Sequence, residues 1–336
     1  MSTMREQSQS LAIRKHANSG MLSLFHFRIQ AASLLLVALS LVKVDVVSAK
    51  ERIWLEPAPP TVAQGNWFPR DLEVFSGTVV GFDSQQFRFV RNGQTREIVV
   101  SGSRVVWIEP DQISDLEKEM LTLFKQGQYA QALAGLPAVL KTRPAVWRQQ
   151  WLTMLSATSA WKIGRAELAL DLVGQLDRRP LPAMVLAWLP IAWESGVQTP
   201  ESIRVAKQRA QDPSTAVRLV SASWLLSSVD RSQGLQIMHD LVKDPEAPQL
   251  ISQLAGILSW RMAAPNQVAP SRSGWEKQIN ALPLAVQTGP TRLLMDKLRA
   301  AGQTTEAKRL KLSLELTPVY GLKKVLTEQN ERQRNN

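Results

Sequence analysis

Lys125-Gln126-Gly127-Gln128-Tyr129-Ala130-Gln131-Ala132 is the stretch on which the architecture turns. A glycine inside a short polar run marks a chain reversal. Leu116, Met120, Leu123 and Phe124 before it, and Ala132, Leu133, Leu136, Val139 and Leu140 after it, recur at helical spacing. Two antiparallel helices are predicted, opened by a capping box at Ser114-Asp115-Leu116-Glu117 and closed by Pro144. The same arithmetic returns twice. Gly164 is followed five residues later by Ala169 and then by Pro180, and Gly302 is followed by Ala307 and then by Pro318. A small residue is needed at that place because the two helices of such a hairpin cross closely there.

Between these hairpins Asp212-Pro213 and Asp244-Pro245 stand 32 residues apart, each read as an N-cap with a first-turn proline before an apolar run. Helices are expected over residues 111–329, with a disordered tail over 330–336. On the N-terminal side the period falls to two. Val74 to Phe82, Phe87 to Val90, Glu97 to Val100 and Val105 to Ile108 read as strands, with Asn92-Gly93 as a type I′ hairpin turn. Residues 70–110 are therefore predicted to form a small β-barrel. Residues 50–69, with Pro57, Pro59, Pro60, Gly65 and Pro69, are read as a proline-rich linker, part of which packs on the neighbouring strands through Ile53, Trp54, Trp67 and Phe68.

The first 49 residues have the order of a signal peptide. Arg5, Arg14, Lys15 and Arg28 precede an uncharged run from Ile29 to Val42, and Val47-Ser48-Ala49 supplies the small residues a leader peptidase needs. The run is 14 residues long, whereas a bilayer span takes about 20. Cleavage after Ala49 and a periplasmic or cell-envelope address are expected; the alternative is an uncleaved anchor that keeps the chain at the membrane. Without the leader the chain keeps 35 basic against 27 acidic residues, while residues 70–109 carry five of each. The basic excess thus lies in the helical part, and it suits acidic partners.

Three resemblances rest on these residues. Gly77-Thr78-Val79-Val80-Gly81-Phe82-Asp83, the Asn92-Gly93 turn and Ser103-Arg104-Val105-Val106-Trp107-Ile108 resemble the SH3-like and Sm-like small barrels. The Gly, Ala and Pro spacing is similar to that of tetratricopeptide repeats, although Met120 and Met295 stand where that family has a small residue and Lys311 where it has an aromatic one. Asp212-Pro213 with Val217, Arg218, Ala222 and Leu225 resembles a HEAT-type unit. The implied fold is α+β and multidomain, mainly α, with a small SH3-like barrel followed by a tetratricopeptide-like or HEAT-like α-solenoid. By the same resemblance the groove of the second unit would include Trp151, Met154, Thr158, Trp161 and Lys162, and that of the third Arg292, Asp296 and Arg299. Such a groove suits an extended segment ending in a carboxylate, with Arg292 and Arg299 as charge-assisted donors and Asp296 opposing them.

Catalytic chemistry finds little support. The chain has no cysteine and three histidines, two of them in the leader, and it carries no phosphate-binding loop, nucleophile elbow or nucleotide fingerprint. No cofactor and no metal site are expected. His239 is read as a surface or half-buried helix residue, and the acidic residues Asp115, Glu117 and Glu119 as complements to a helix dipole. Arg88, Arg91, Arg96 and Arg104 are read as the solvated face of strands, because a neutral, exported barrel is a poor RNA binder. Eight of the eleven tryptophans lie in the helical part; most are assigned to the core and the rest to partner anchoring. The expectation is a non-catalytic envelope scaffold with a protein partner. The alternatives are a cell-wall polymer or surface-binding module docked by the barrel, and an enzyme with an unrecognised site.

Overall fold

The computed structural model describes residues 51–58, 71–196 and 198–317. The expected leader and its cleavage site, residues 50 and 59–69 of the expected linker, residue 70 of the expected barrel, residues 318–329 of the expected helices and the expected tail lie outside them. The chain is mainly helical, with one small antiparallel sheet before the helices. The strands are β1 (Glu51–Leu55), β2 (Glu73–Phe82), β3 (Gln86–Arg91), β4 (Glu97–Ser101) and β5 (Val105–Glu109), in the order β4-β3-β2-β1-β5. The stretch read as a linker therefore begins with a strand. Ile53, Trp54 and Leu55 are buried, and β1 pairs with β2 and β5 together, so these apolar residues lie inside the sheet. The turn also differs from expectation. Gly93 has a φ of 75° and Asn92 does not share the positive region, whereas a type I′ turn needs it at both central residues.

The helices are α1 (Asp115–Lys125), α2 (Tyr129–Lys141), α3 (Val146–Lys162), α4 (Ala166–Leu176), α5 (Ala183–Leu186), α6 (Pro200–Gln208), α7 (Thr215–Leu225), α8 (Arg231–Lys243), α9 (Gln249–Leu258), α10 (Pro265–Asn280), α11 (Thr288–Ala300) and α12 (Thr304–Leu316). The three sequence hairpins share one local device. Gly127, Gly164 and Gly302 have φ of 73°, 80° and 75°, a region glycine enters without strain. In each, the next residue donates its N–H to a carbonyl five residues back: Gln128 to Leu123, Arg165 to Ala160 and Gln303 to Leu298. That bond closes a helix in a Schellman turn. Ala132, Ala169 and Ala307 are buried where α1 meets α2, α3 meets α4 and α11 meets α12. The Asp-Pro pairs behave differently. Asp212 and Asp244 accept the N–H two residues on, from Ser214 and Glu246, and α7 starts at the Ser214 cap. A carboxylate reaching over a proline that lacks an N–H stabilises such a turn before the helix rather than capping it.

Sheet and helices share their interior. Phe87 and Phe89 stack at 5.2 Å and pack with Ile53, Leu55, Val105, Ile108, Trp147 of α3 and Met184 of α5. On the other side of β1 and β5, Trp54 and Val106 meet Leu284, whose N–H donates to Glu56 Oε2 at 3.3 Å. The sheet thus touches helical segments a hundred residues apart in sequence. A buried ion pair reinforces this junction. Ser114 caps α1 as expected, but the Glu117 carboxylate turns inward to Arg148 of α3, with both side chains shielded from solvent and the Arg148 Nε bond at 2.5 Å. Arg148 lies over the rings of Trp147 and Trp151. Glu51 of β1 adds its charge to the pair while accepting the Val79 N–H at 2.7 Å, and burial raises its carboxyl above the usual range.

Glu117→Gln leaves the Arg148 charge buried with only the more distant Glu51 to offset it, and it is expected to destabilise the fold by about 3–5 kcal/mol. Glu117→Leu with Arg148→Met, which removes both charges, is expected to restore most of that loss. Urea unfolding followed by circular dichroism checks both.

Candidate functional site

Helix α3 carries the residues assigned to the groove of the second unit. Trp151 and Met154 are 4% and 0% exposed, which moves them from a groove surface to the core. The reason is a segment whose role the sequence periodicity did not mark. After α5, residues 187–196 run without helix or strand, and Leu189, Pro190, Ile191 and Ala192 are buried. This strap lies where an extended ligand was expected. Thr158 Oγ1 donates to the Trp188 carbonyl at 2.7 Å, and the Trp188 ring meets Trp151 at 6.4 Å and Phe124 of α1 at 5.8 Å. Trp107 of β5 reaches Trp151 from the other side at 5.2 Å. These edge-on contacts make a continuous aromatic file from the sheet through α3 to the strap and α1.

Buried irregular backbone needs partners for its polar groups. Side chains of α3, α7 and the 3-10 turn Ser259–Met262 supply them. Trp224 Nε1 donates to the Pro190 carbonyl at 2.8 Å, and Ser223 Oγ accepts the Ala192 N–H at 3.1 Å. Arg261 Nη1 donates to the carbonyls of Ala192 and Ser223 at 2.8 and 2.7 Å, and its Nη2 to Ser227 Oγ at 2.5 Å. Burial pushes the Arg261 guanidinium down to about 10, so it stays charged at neutral pH and works as a forked donor to carbonyls.

The strap ends at a charged rim. Trp193 lies so close to Gly289 of α11 that a Cβ there would meet its Cε2 and Nε1 atoms at 2.3 Å. Trp161 of α3 stacks on Trp224 at 6.0 Å and donates from Nε1 to Gln198 Oε1 at 3.2 Å. Lys162 keeps open surface, yet its Nζ sits 4.5 Å over the Trp161 ring. Glu194, exposed, lies in the strap between these two anchors. Burial lowers the Lys162 ammonium, with Glu194 opposing and Arg292 adding to the shift; Arg292 is likewise lowered by burial and pulled back by Glu194 and Asp296. Burial raises the Asp296 carboxyl, Glu194 raises it further, and Arg299, bonded at 3.1 Å, and Arg292 oppose this.

Lys162, Arg292 and Asp296, which the repeat resemblance put in two separate grooves, each feel the charge of Glu194, with Trp161 beneath Lys162 and Arg299 bonded to Asp296. Thr158 is spent on the strap. Trp188, Trp193 and Pro190 were visible as a tryptophan and proline cluster, and that was the one available signal of a bulky, non-helical segment. Elsewhere His239 is exposed on α8, as expected. Arg88 and Arg91 are exposed, with Arg88 bonded to Glu97 at 3.4 Å and Arg91 over the Phe75 ring, whereas Arg104 is held by Glu73 and the Glu56 carbonyl. Among the described residues no helix is long and apolar enough to cross a membrane.

Trp151→Ala is expected to lower stability by about 3–5 kcal/mol, the range for removing a buried ring, as measured by urea unfolding. Gly289→Ala adds a methyl where Trp193 already sits. It is expected to cost about 1–3 kcal/mol and to shift tryptophan fluorescence toward the red as Trp193 is displaced; a gain in stability would mean that helix propensity at 289 outweighs the contact. Comparison of the chain with protein-family models, with curated proteins and with solved structures finds no match.

Proposed function

We propose that the chain is a non-catalytic scaffold of the cell envelope, exported with its leader removed after Ala49, which binds a protein partner at the rim formed by the end of α3, the end of the strap and the stretch of α11 from Arg292 to Arg299. The observation that carries this reading is the convergence of Trp161, Lys162, Glu194, Arg292, Asp296 and Arg299 on one partly open surface. Half-buried tryptophan beside arginine is the composition that contributes most to protein interfaces. Three hairpins built on the same glycine turn and buried alanine support a tetratricopeptide-like or HEAT-like solenoid, modified in that the inner face of α3 is covered by the chain itself. For the sheet, a meander with β1 between β2 and β5 supports a curled SH3-like barrel, as do the register shifts between Val79 and Gly81 and between Trp54 and Leu55. Such shifts bend strands.

The test is retention of envelope proteins by the immobilised full chain, compared with Lys162→Glu combined with Arg299→Glu. The parent is expected to hold a defined protein through washing, and the charge-reversed chain, melting at the parent temperature, is expected to release it. Equal retention by both would contradict the assignment of the rim.

A further inference from the structure

We infer that Asn92 is a site of spontaneous covalent modification: the Gly93 amide nitrogen closes on the Asn92 side chain, ammonia leaves, and the tip of the sheet becomes aspartate and isoaspartate. The inference is independent of the partner-binding reading above.

Asn92-Gly93 sits in the connection between β3 and β4, and residues 91–96 are all exposed. Two backbone bonds hold this tip. Asn92 donates its N–H to the Ser76 carbonyl and Gln94 donates to the Arg91 carbonyl, both at 3.0 Å. The N–H between them is left over. Among the described residues the Gly93 N–H meets no acceptor and the Asn92 side-chain amide no partner. Nothing lies within 4 Å of the place a Cβ on Gly93 would take, so the space around the attacking residue is open.

The other asparagines among the described residues, Asn266 and Asn280, lie in α10 and are held differently. Each is followed by a residue with a side chain whose N–H is already bonded. Gln267 donates to the Ala264 carbonyl at 2.9 Å, and Ala281 to the carbonyls of Lys277 and Gln278 at 3.1 and 3.3 Å. Such an amide cannot turn toward the preceding side chain without losing its bond. Gly93 carries neither restraint, and glycine rotates more freely than any other residue.

The reaction needs only water. Base removes the Gly93 amide proton and the nitrogen attacks Asn92 Cγ. The N–Cγ bond forms, the Cγ–Nδ2 bond breaks, and Nδ2 takes up a proton and leaves as ammonia. Water then opens the resulting five-membered imide at one of its two carbonyls. Attack at Cγ gives aspartate, and attack at the main-chain carbonyl carbon gives isoaspartate, in which the chain runs through the side chain. Either product carries a carboxylate next to Arg91, whose guanidinium lies 4.2 Å over the Phe75 ring. A neighbouring positive charge favours the amide anion and the carboxylate alike. Residues 70–109, balanced at five basic and five acidic, become acidic by one. The Val90 and Glu97 pair closes the hairpin below the tip, and Phe87 and Phe89 stay in the core.

The experiment keeps the full chain in mildly alkaline buffer over days and follows Asn92, Asn266 and Asn280 by mass spectrometry of tryptic peptides. Enzymatic methylation of isoaspartate is the second readout. Conversion at Asn92 is expected to outrun that at either helical asparagine by a factor of about 10 or more, about 1.4 kcal/mol in barrier, and to yield isoaspartate. In the chain unfolded in guanidinium chloride the rate at Asn92 is expected to lie within about tenfold of the folded rate, because the turn leaves the amide free. Gly93→Ala puts a side chain on the attacking residue, and Asn92→Gln enlarges the ring that must close; each is expected to slow conversion at position 92 by about tenfold. If alanine at a φ of 75° disturbs the tip, Asn92→Gln and the comparison within the parent chain still decide. No conversion at Asn92, a rate equal to that at Asn266 or Asn280, aspartate without isoaspartate, stronger suppression in the folded chain, or an unchanged rate in Asn92→Gln would each overturn the inference.

Discussion

A length of irregular backbone lies in the interior of this protein, and the surrounding side chains are arranged to satisfy it. Residues 187–196 make neither helix nor sheet, so their carbonyls and amides have no ladder to join. Each such group buried unpaired costs about 1–3 kcal/mol. Thr158, Ser223, Trp224 and Arg261 come from three separate segments and each meets one of these groups. Ser223 and Arg261, both buried, thus serve the same segment. Arg261 is the extreme case: a buried guanidinium with carbonyl and hydroxyl acceptors and no carboxylate among its described partners, retained because its fork reaches the strap, the end of α7 and Ser227 at once.

The strap also explains where the large rings went. Trp107, Trp151, Trp188 and Phe124 form one file of edge-on contacts, so the sheet, α3, the strap and α1 are held by the same aromatic packing. Trp161 and Trp224 stack beside it. The ion pair of Glu117 and Arg148 lies next to this file, with Arg148 over the ring of Trp151 and over that of Trp147, which packs in the core of the sheet. A β unit of about 60 residues would be marginal alone. Here its core includes Trp147 and Met184 of the helical part, and its stability is inseparable from theirs.

Local signals in the sequence were legible and tertiary ones were not. Gly127, Gly164 and Gly302 stand where a left-handed residue must end a helix, and the alanine five residues on is buried each time. Period-two alternation located β2 to β5. The failures have physical causes. Glu51–Leu55 was hidden among prolines because a strand of five residues gives too short an alternation to stand out, and its pairing partners lie about 20 to 55 residues away. Glu117 sits correctly for a capping box, but a buried arginine 31 residues on outcompetes the helix end for its carboxylate. Trp151 and Met154 have the spacing of a groove stripe, and spacing cannot say whether solvent or another segment of the same chain covers it. The rim residues Lys162, Arg292, Asp296 and Arg299 were visible as charges; their meeting required Trp193 to settle on Gly289 and Gln198 to settle on Trp161.

The central claim is that the strap is an integral part of the interior rather than a surface loop laid over a groove. Native-state hydrogen exchange at the Ala192 amide tests it most directly, since that N–H is bonded to Ser223 Oγ beneath Arg261. If the strap is interior, Ala192 exchanges as slowly as the amides in the middle of α7, through the same global opening. Exchange at the rate of the exposed Glu194 and Ser195 would contradict it, because the strap would then open on its own and leave the face of α3 free.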